Sequence, residues 1–325
     1  MTTWLEHNGV PTSSISRTLA GGWLVVTDVP VSQANELLGA SYQLYYHAGR
    51  NDTILRTAGY ALPRELHVHV KTVVPTTAFT STRFLQQTSG HRSDEAPASN
   101  VTSGEPVNML SRRQKQRPLD NEASILRSMY KAATYEPLPY MTGSTIGIVG
   151  YDDAYPRLSD LKKFIKRFRS DAIMDQDIEF QTIDQNVPTG KPSLQANVFT
   201  QYAAAMAFPI PITFYRGTGA GKYTTKRKRV RWQGDDAVLQ FLKYTVGRED
   251  IPQTIGLVTD GTTEMDIPHD YAESVCKQFE ILGASGVTVL VATGDSGVGA
   301  MPCREFSINF PASCTCVVLV AHRTS

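Results

Sequence analysis

The sequence predicts an α/β protein with a mainly parallel sheet, helices on both faces, and a small α+β module in front of it. Three observations predict this. From Glu122 onward, strand-like runs alternate with helix-like runs, the pattern of repeated βα units. Between about Thr80 and Leu119 the composition shifts to Ser, Gln, Arg, Pro, Asn and Thr without a hydrophobic period, which reads as a linker. At 325 residues, 41% hydrophobic and 19% charged, the chain has the length of two domains and enough apolar side chains for a sizeable core. The expected domains are therefore 1–80, a linker over 81–120 and a larger domain over 121–325.

In the first module, residues 23–27 (WLVVT) read as a strand, and residues 32–38 (SQANELL) as a helix capped by Ser32 after Pro30. Residues 41–47 and 54–57 read as strands around a Gly49-Arg-Asn-Asp turn. Residues 67–75 alternate as a further strand, which would place His67 and His69 on one face. No further His or Cys adjoins them in sequence, so a half-exposed strand pair is preferred to a metal site.

In the larger domain, residues 145–150 (TIGIVG) form a buried-strand pattern. Residues 158–168 (LSDLKKFIKRF) form an amphipathic helix with Leu161, Phe164, Ile165 and Phe168 on one face. Strands follow at 178–183, 212–215, 254–258 and 287–292, with helices at 194–207, 237–244 and 271–282. Residues 316–321 read as a last strand.

Thirty-two basic against 31 acidic side chains give a net charge of +1, which favours neither nucleic acid nor an anionic membrane. The longest apolar runs fall far short of the ~20 residues of a spanning helix. No basic and apolar leader pattern is visible at the N-terminus. Asn51-Asp-Thr and Asn100-Val-Thr are glycosylation acceptor patterns at Asn51 and Asn100. Cys276, Cys303, Cys314 and Cys316 allow three pairings that spacing cannot separate, and free buried thiols remain open as well. Cys314-x-Cys316 is too tight for a zinc site.

Several motifs fail on their chemistry. Gly217-Thr-Gly-Ala-Gly-Lys-Tyr-Thr has a spacer too short for a phosphate-binding loop, and Tyr223 stands where Ser or Thr is needed. Residues 222–231 hold six basic residues in ten, read as a solvated insertion between a strand and a helix rather than a nucleic-acid site. Asp152-Asp153 read as strand-end caps, and Asp260-Gly-Thr lacks a second copy. Asp295 is different. It follows a buried strand, where open α/β sheets place their active sites, although a plain turn cap would use the same residue.

The run from Asp270 through Ala292-Thr-Gly-Asp-Ser-Gly-Val-Gly, followed by Phe310-Pro-Ala-Ser-Cys, resembles the sedolisin (serine-carboxyl peptidase) family, with the fungal tripeptidyl-peptidases as the best likeness. Trp4-Leu-Glu-His-Asn-Gly, Leu38-Gly-Ala-Ser-Tyr and His69-Val-Lys-Thr-Val-Val-Pro-Thr-Thr resemble that family's activation prodomain. Ser124-Ile-Leu-Arg-Ser-Met-Tyr resembles the start of its mature domain. The resemblance implies a ferredoxin-like prodomain joined to a subtilisin-like domain. It also implies peptide or protein substrates, a prodomain packed on the peptidase domain, an acid-acting serine-type hydrolysis and a secreted protein.

The family uses a Glu as general base to a Ser, an Asp four residues later that orients the Glu, and a protonated Asp in the oxyanion hole. Asp295 matches the oxyanion Asp, and Ser296 beside it is not the nucleophile. The helix that should read Glu-Ala-Asn-Leu-Asp reads Gln195-Ala-Asn-Val-Phe, so Gln195 stands in the base position and Phe199 in the orienting position. A one-residue shift does not help, because no acid occurs between Asp184 and Asp235. After Cys314 the resemblance lapses, without the Gly-Thr-Ser nucleophile or the family's calcium loop, so no cofactor is expected in this chain. A C-terminally truncated sheet would leave an unpaired edge and marginal stability. The resemblance thus implies a peptidase relative inactive as written. The alternatives are a non-catalytic inhibitor or binding partner of an active relative and, from residues 222–231, a nucleic-acid-associated protein.

Overall fold

A computed structural model describes residues 1–18, 22–46, 53–77, 79, 122–135, 143–150, 155–172, 178–183, 192–216, 220–224, 229–233, 237–257, 263–264, 267–293, 306 and 308–320. The N-terminal unit starts with helix α1 (Thr2–His7), and strands β1 (Ile15–Arg17) and β2 (Leu24–Val26) then pair antiparallel. Helix α2 (Val31–Leu38) leads into a second antiparallel pair, β3 (Gln43–Tyr46) and β4 (Thr53–Arg56).

Two local expectations are corrected here. Pro30, at φ −60° and ψ 144°, is the residue that caps α2, so Ser32 lies inside the first turn and caps nothing. Residues 67–75 do not form a strand. A 3₁₀ turn at Arg64–Leu66 precedes them, and the amides of His67, His69 and Val70 bond back to Arg64 and Leu66. These donors are spent locally, no ladder forms, and Val68 is left 87% exposed. The strand face shared by His67 and His69 therefore does not exist; the His67 ring bonds the Leu62 carbonyl at 2.9 Å instead.

Tyr42 ties this unit together, its hydroxyl donating to the Pro75 carbonyl at 2.8 Å. Burial pushes its phenol up to about 12, against an opposing pull from Arg56. A phenol harder to ionise in the folded chain stabilises fully below the ordinary value of 10.0, and that contribution drains away as pH rises toward 12. Tyr42→Phe is expected to cost about 1 kcal/mol at neutral pH and to flatten the alkaline decline in stability. Chemical unfolding across that pH range measures both.

Helix α3 (Glu122–Met129) precedes the six-stranded sheet, whose strands are β5 (Ile146–Gly150), β6 (Glu179–Thr182), β7 (Ile212–Arg216), β10 (Thr254–Leu257), β11 (Thr288–Ala292) and β12 (Val318–Val320). The order is β12-β11-β10-β5-β7-β6, and every pairing is parallel. Strands β8 (Ala220–Thr224) and β9 (Arg229–Gln233) stand apart as an antiparallel ribbon that carries most of the basic run, between β7 and helix α6 (Ala237–Thr245).

Alternation along the strands sorts the sheet into two faces. Ile148, Ile212 and Phe214 join one buried cluster with Leu161 and Ile165 of helix α4 (Leu158–Phe168) and Ala196, Ala204 and Ala205 of helix α5 (Leu194–Ala207). Val149, Tyr215, Ile255, Leu257, Val289 and Val291 join the other, with α6 and with helix α7 (His269–Ala284) through Tyr271, Val275, Phe279 and Leu282. This is the doubly wound parallel sheet that the sequence predicted. Trp23 and Val74 of the N-terminal unit pack on the second cluster, the Lys243 ammonium sits 5.6 Å from the centre of the Trp23 ring, and Lys71 meets Glu273 at 3.5 Å.

Gly147 on β5 permits that packing. A Cβ there would stand 3.0 Å from the Tyr215 ring, 3.2 Å from the Ile255 side chain and 3.2 Å from Pro252. Tyr215 is fully buried and Ile255 likewise, so neither can retreat. Gly147→Ala is expected to destabilise by about 1–3 kcal/mol through overpacking, read as a lowered thermal midpoint.

Candidate active-site crevice

Open parallel sheets bind ligands beyond the carboxyl ends of their strands, where the chain reverses its direction of travel across the sheet. Here that point is β5. The chain runs from β5 to β6 and back to β7 on one side, then crosses to β10 and β11 on the other. Helices α5 and α7 both follow strands, so both begin at this carboxyl edge.

The start of α5 is firmly built. The Ser193 hydroxyl accepts from the Ala196 amide at 3.0 Å, an N-cap that fixes the first turn. The Ser193 amide donates to the Tyr155 carbonyl at 3.1 Å, and Asn197 Oδ1 accepts from the Arg157 amide at 2.7 Å. The segment after β5 is thus laid across the helix start. At the last residue of β7, the Arg216 guanidinium stacks 4.0 Å from the Tyr155 ring centre, placing a positive charge at the same edge.

Gln195 and Phe199 lie one turn apart on this helix, half-buried, and flank its buried stripe of Ala196, Thr200 and Ala204. The Gln195 side chain makes no hydrogen bond among the described residues. Phe199 packs against the apolar cluster that contains Ile148, Leu161 and Phe214. An amide and a phenyl ring offer neither a proton acceptor with a useful pKa nor a group to orient one.

Asp295 lies outside the described residues, as do Asn51, Asn100, Cys303, Asp152, Asp153 and Asp260. What precedes Asp295 is described. Strand β11 reaches this edge, and Thr293 just beyond it donates from its amide to the Val320 carbonyl at 3.1 Å. The Asn309 side-chain amide bonds the Thr293 carbonyl. Cys276 of α7 is bonded to Cys314, which selects one of the pairings that spacing left open.

A cleft of about 630 Å³ lies at the α7 end of this region, lined by residues that include Tyr60, His67, Lys71, Asp270 and Glu273. His269, Asp270 and Glu273 bring ligand atoms within 4.8 Å of one another, all exposed. Calcium takes six to eight oxygen ligands. One imidazole and two carboxylates, one of them already facing Lys71, do not fit that ion.

Sequence reasoning missed Arg216 and Tyr155. The only signal was a charged residue closing the otherwise uncharged buried run ITFYR.

Comparison with known proteins shows what the chain is similar to. Residues 1–79 match the family model of the pro-kumamolisin activation domain. The chain is 27% identical over 333 residues to the probable tripeptidyl-peptidase SED3 of Trichophyton verrucosum, covering 98% of this chain and 53% of that protein. It is 27% identical over 337 residues to tripeptidyl-peptidase SED4 of Arthroderma otae, covering 98% and 52%. The chain spans about half the length of the curated relatives it matches. Among solved structures, Pseudomonas sedolisin, a serine-carboxyl proteinase complexed with pseudo-iodotyrostatin, aligns with 19% identity and a TM-score of 0.45 over 62% of this chain and 52% of that one. Over almost its whole length the chain is similar to tripeptidyl-peptidases, and its first 79 residues are similar to a pro-kumamolisin activation domain.

Proposed function

We propose that this chain is a peptide-directed protein of the serine-carboxyl peptidase type in which hydrolysis has been lost. The observation that carries the reading is the pair Gln195 and Phe199 at the start of α5. The spacing of a base and its orienting acid is kept, while both carboxylates are replaced and the half-buried Phe199 packs on an apolar cluster. Without a base, a serine hydroxyl stays protonated and is a poor nucleophile. Asp295 retains the oxyanion position by motif alone.

A disulfide between α7 and the segment before β12, together with the family likeness, supports an oxidising, extracellular setting. Asn51 and Asn100 would be acceptors for glycosylation there.

The direct test is covalent labelling of the purified chain by a serine-directed phosphonate at about pH 3–5, the range in which a carboxylic acid is protonated. No stoichiometric adduct is expected. A single labelled serine that survives mild denaturation would overturn the reading, because only an activated hydroxyl is trapped.

One observation favours a second reading, in which the activation domain acts on an active relative. Trp23 and Val74 present apolar contacts to the α6–α7 face, and Lys71 adds an exposed ion pair with Glu273. Such a surface could dock on the matching face of another copy of the fold. Inhibition of an active tripeptidyl-peptidase by this chain, lost in Trp23→Ala, would be the signature; unaltered turnover at saturating chain would exclude it.

A further inference from the structure

Cys276, midway along α7, is bonded to Cys314 with a Cα separation of 5.1 Å. Two residues further on, Cys316 is an exposed free thiol. Lys277, the neighbour of Cys276, is held in its charged form first by a hydrogen bond to Glu280, and the Cys316 sulfur adds to the effect. The Thr315 hydroxyl stands 3.9 Å from the Cys316 sulfur.

Residues 311–317 form turns outside the sheet; Pro311, Ala312 and Cys314 are buried, while Thr315 and Cys316 are exposed. Two residues span at most about 7 Å, and a disulfide tolerates Cα separations of roughly 4.4–6.8 Å. Exchanging one cysteine for the other takes a shift of two residues in this turn, at most about 7 Å, with α7 fixed.

We propose that Cys316 is an exchange thiol, and that the Cys276 disulfide isomerises between Cys314 and Cys316. The Cys316 thiolate attacks the Cys276 sulfur. The Cys276–Cys316 bond forms as the Cys276–Cys314 bond breaks, and Cys314 leaves as a thiolate that takes up the proton Cys316 released. No oxidant or reductant is consumed. Cys314 is buried in the core whereas Cys316 is exposed, so the Cys276–Cys314 pairing is the resting one.

The exchange has a mechanical consequence. Strand β12 lies at the sheet edge, three residues long, and all three side chains are about half exposed. Sliding its feeder by two residues keeps every side chain on its own face, because the strand period is two. The slide moves the carbonyl that anchors Thr293, so the disulfide state sets the tether on the strand end that leads into Gly294-Asp295.

Disulfide mapping of the full chain decides the matter. After hours at about pH 8, followed by an acid quench, alkylation and digestion, the wild type is expected to show a Cys276–Cys316 peptide at about one-tenth or more of the Cys276–Cys314 peptide. Cys316→Ser is expected to show only Cys276–Cys314. Cys314→Ser, oxidised with glutathione disulfide, is expected to form Cys276–Cys316 and to slow or speed amide exchange at residues 288–293 at least about threefold relative to Cys316→Ser. A wild type holding only Cys276–Cys314, a Cys303–Cys316 bond, or a Cys314→Ser chain that leaves Cys276 alkylated would each overturn the proposal.

Discussion

Given a peptide substrate at about pH 3–5, the purified chain is expected to turn over no faster than about 10⁻⁴ to 10⁻⁶ of an intact serine-carboxyl peptidase, the loss that follows removal of one member of a catalytic unit. The reason is local to α5. A general base must accept the serine proton in the transition state, and the Gln195 amide cannot do so at any working pH. Gln195→Glu alone is expected to restore nothing measurable, because Phe199 leaves the new carboxylate without an orienting acid. Phe199→Asp carries its own penalty. The ring is half-buried against the apolar cluster that contains Leu161 and Phe214, so its replacement removes apolar contact and sets a carboxyl beside that cluster. A loss of roughly 2–4 kcal/mol in unfolding free energy is expected for Phe199→Asp, read by urea denaturation. Peptide release above a mock preparation, abolished by Asp295→Ala, would show that hydrolysis survives by another route.

The same helix shows how far sequence reasoning reaches. Its bounds, 194–207, follow directly from the residue pattern. Its buried stripe does not, because small residues do the burying. Ala196, Thr200, Ala204 and Ala205 face the sheet, while Leu194 is 65% exposed and Val198 40%. Close approach to β5 and β7 favours small side chains, and a hydrophobicity pattern weights large ones. Helix α4 is the opposite case, with Leu161 and Ile165 buried where the amphipathic period put them. Strands β10 and β11 likewise fall within the runs 254–258 and 287–292 given by the residue pattern.

Residues 67–75 misled because period-two alternation is a side-chain signal, and strand formation also needs a partner for the backbone. With Pro63 opening a 3₁₀ turn, the amides were already satisfied. The β8–β9 ribbon escaped notice for a related reason: its charge drew attention, and charge says nothing about pairing. Gln195 and Phe199 were singled out through a motif. That Phe199 is packed rather than merely substituted, and that Arg216 lies over Tyr155, needed the third dimension.

Cys276→Ser is expected to cost about 4 kcal/mol, the loop-closure entropy of a bond spanning 38 residues. Against the 5–15 kcal/mol typical of a folded domain, this is a large share. The bond joins α7, which contributes Tyr271, Val275, Phe279 and Leu282 to the core, to the segment that contributes Phe310 and Ala312 and then becomes β12. Tyr271 and Phe310 already meet with ring centres 6.4 Å apart, so apolar contact and cross-link secure the same junction. Reduction of the wild type should lower the urea midpoint as far as Cys276→Ser does, and reductant should leave that variant unmoved. Cys314→Ser should lose less than Cys276→Ser if Cys316 takes over the bond, because a loop of 40 rather than 38 residues changes the entropy by only about 0.05 kcal/mol. Equal losses in the two variants would show that no substitute bond forms. A Cys276→Ser midpoint matching the wild type would show instead that the Tyr271–Phe310 contact and the sheet hold α7 without the cross-link.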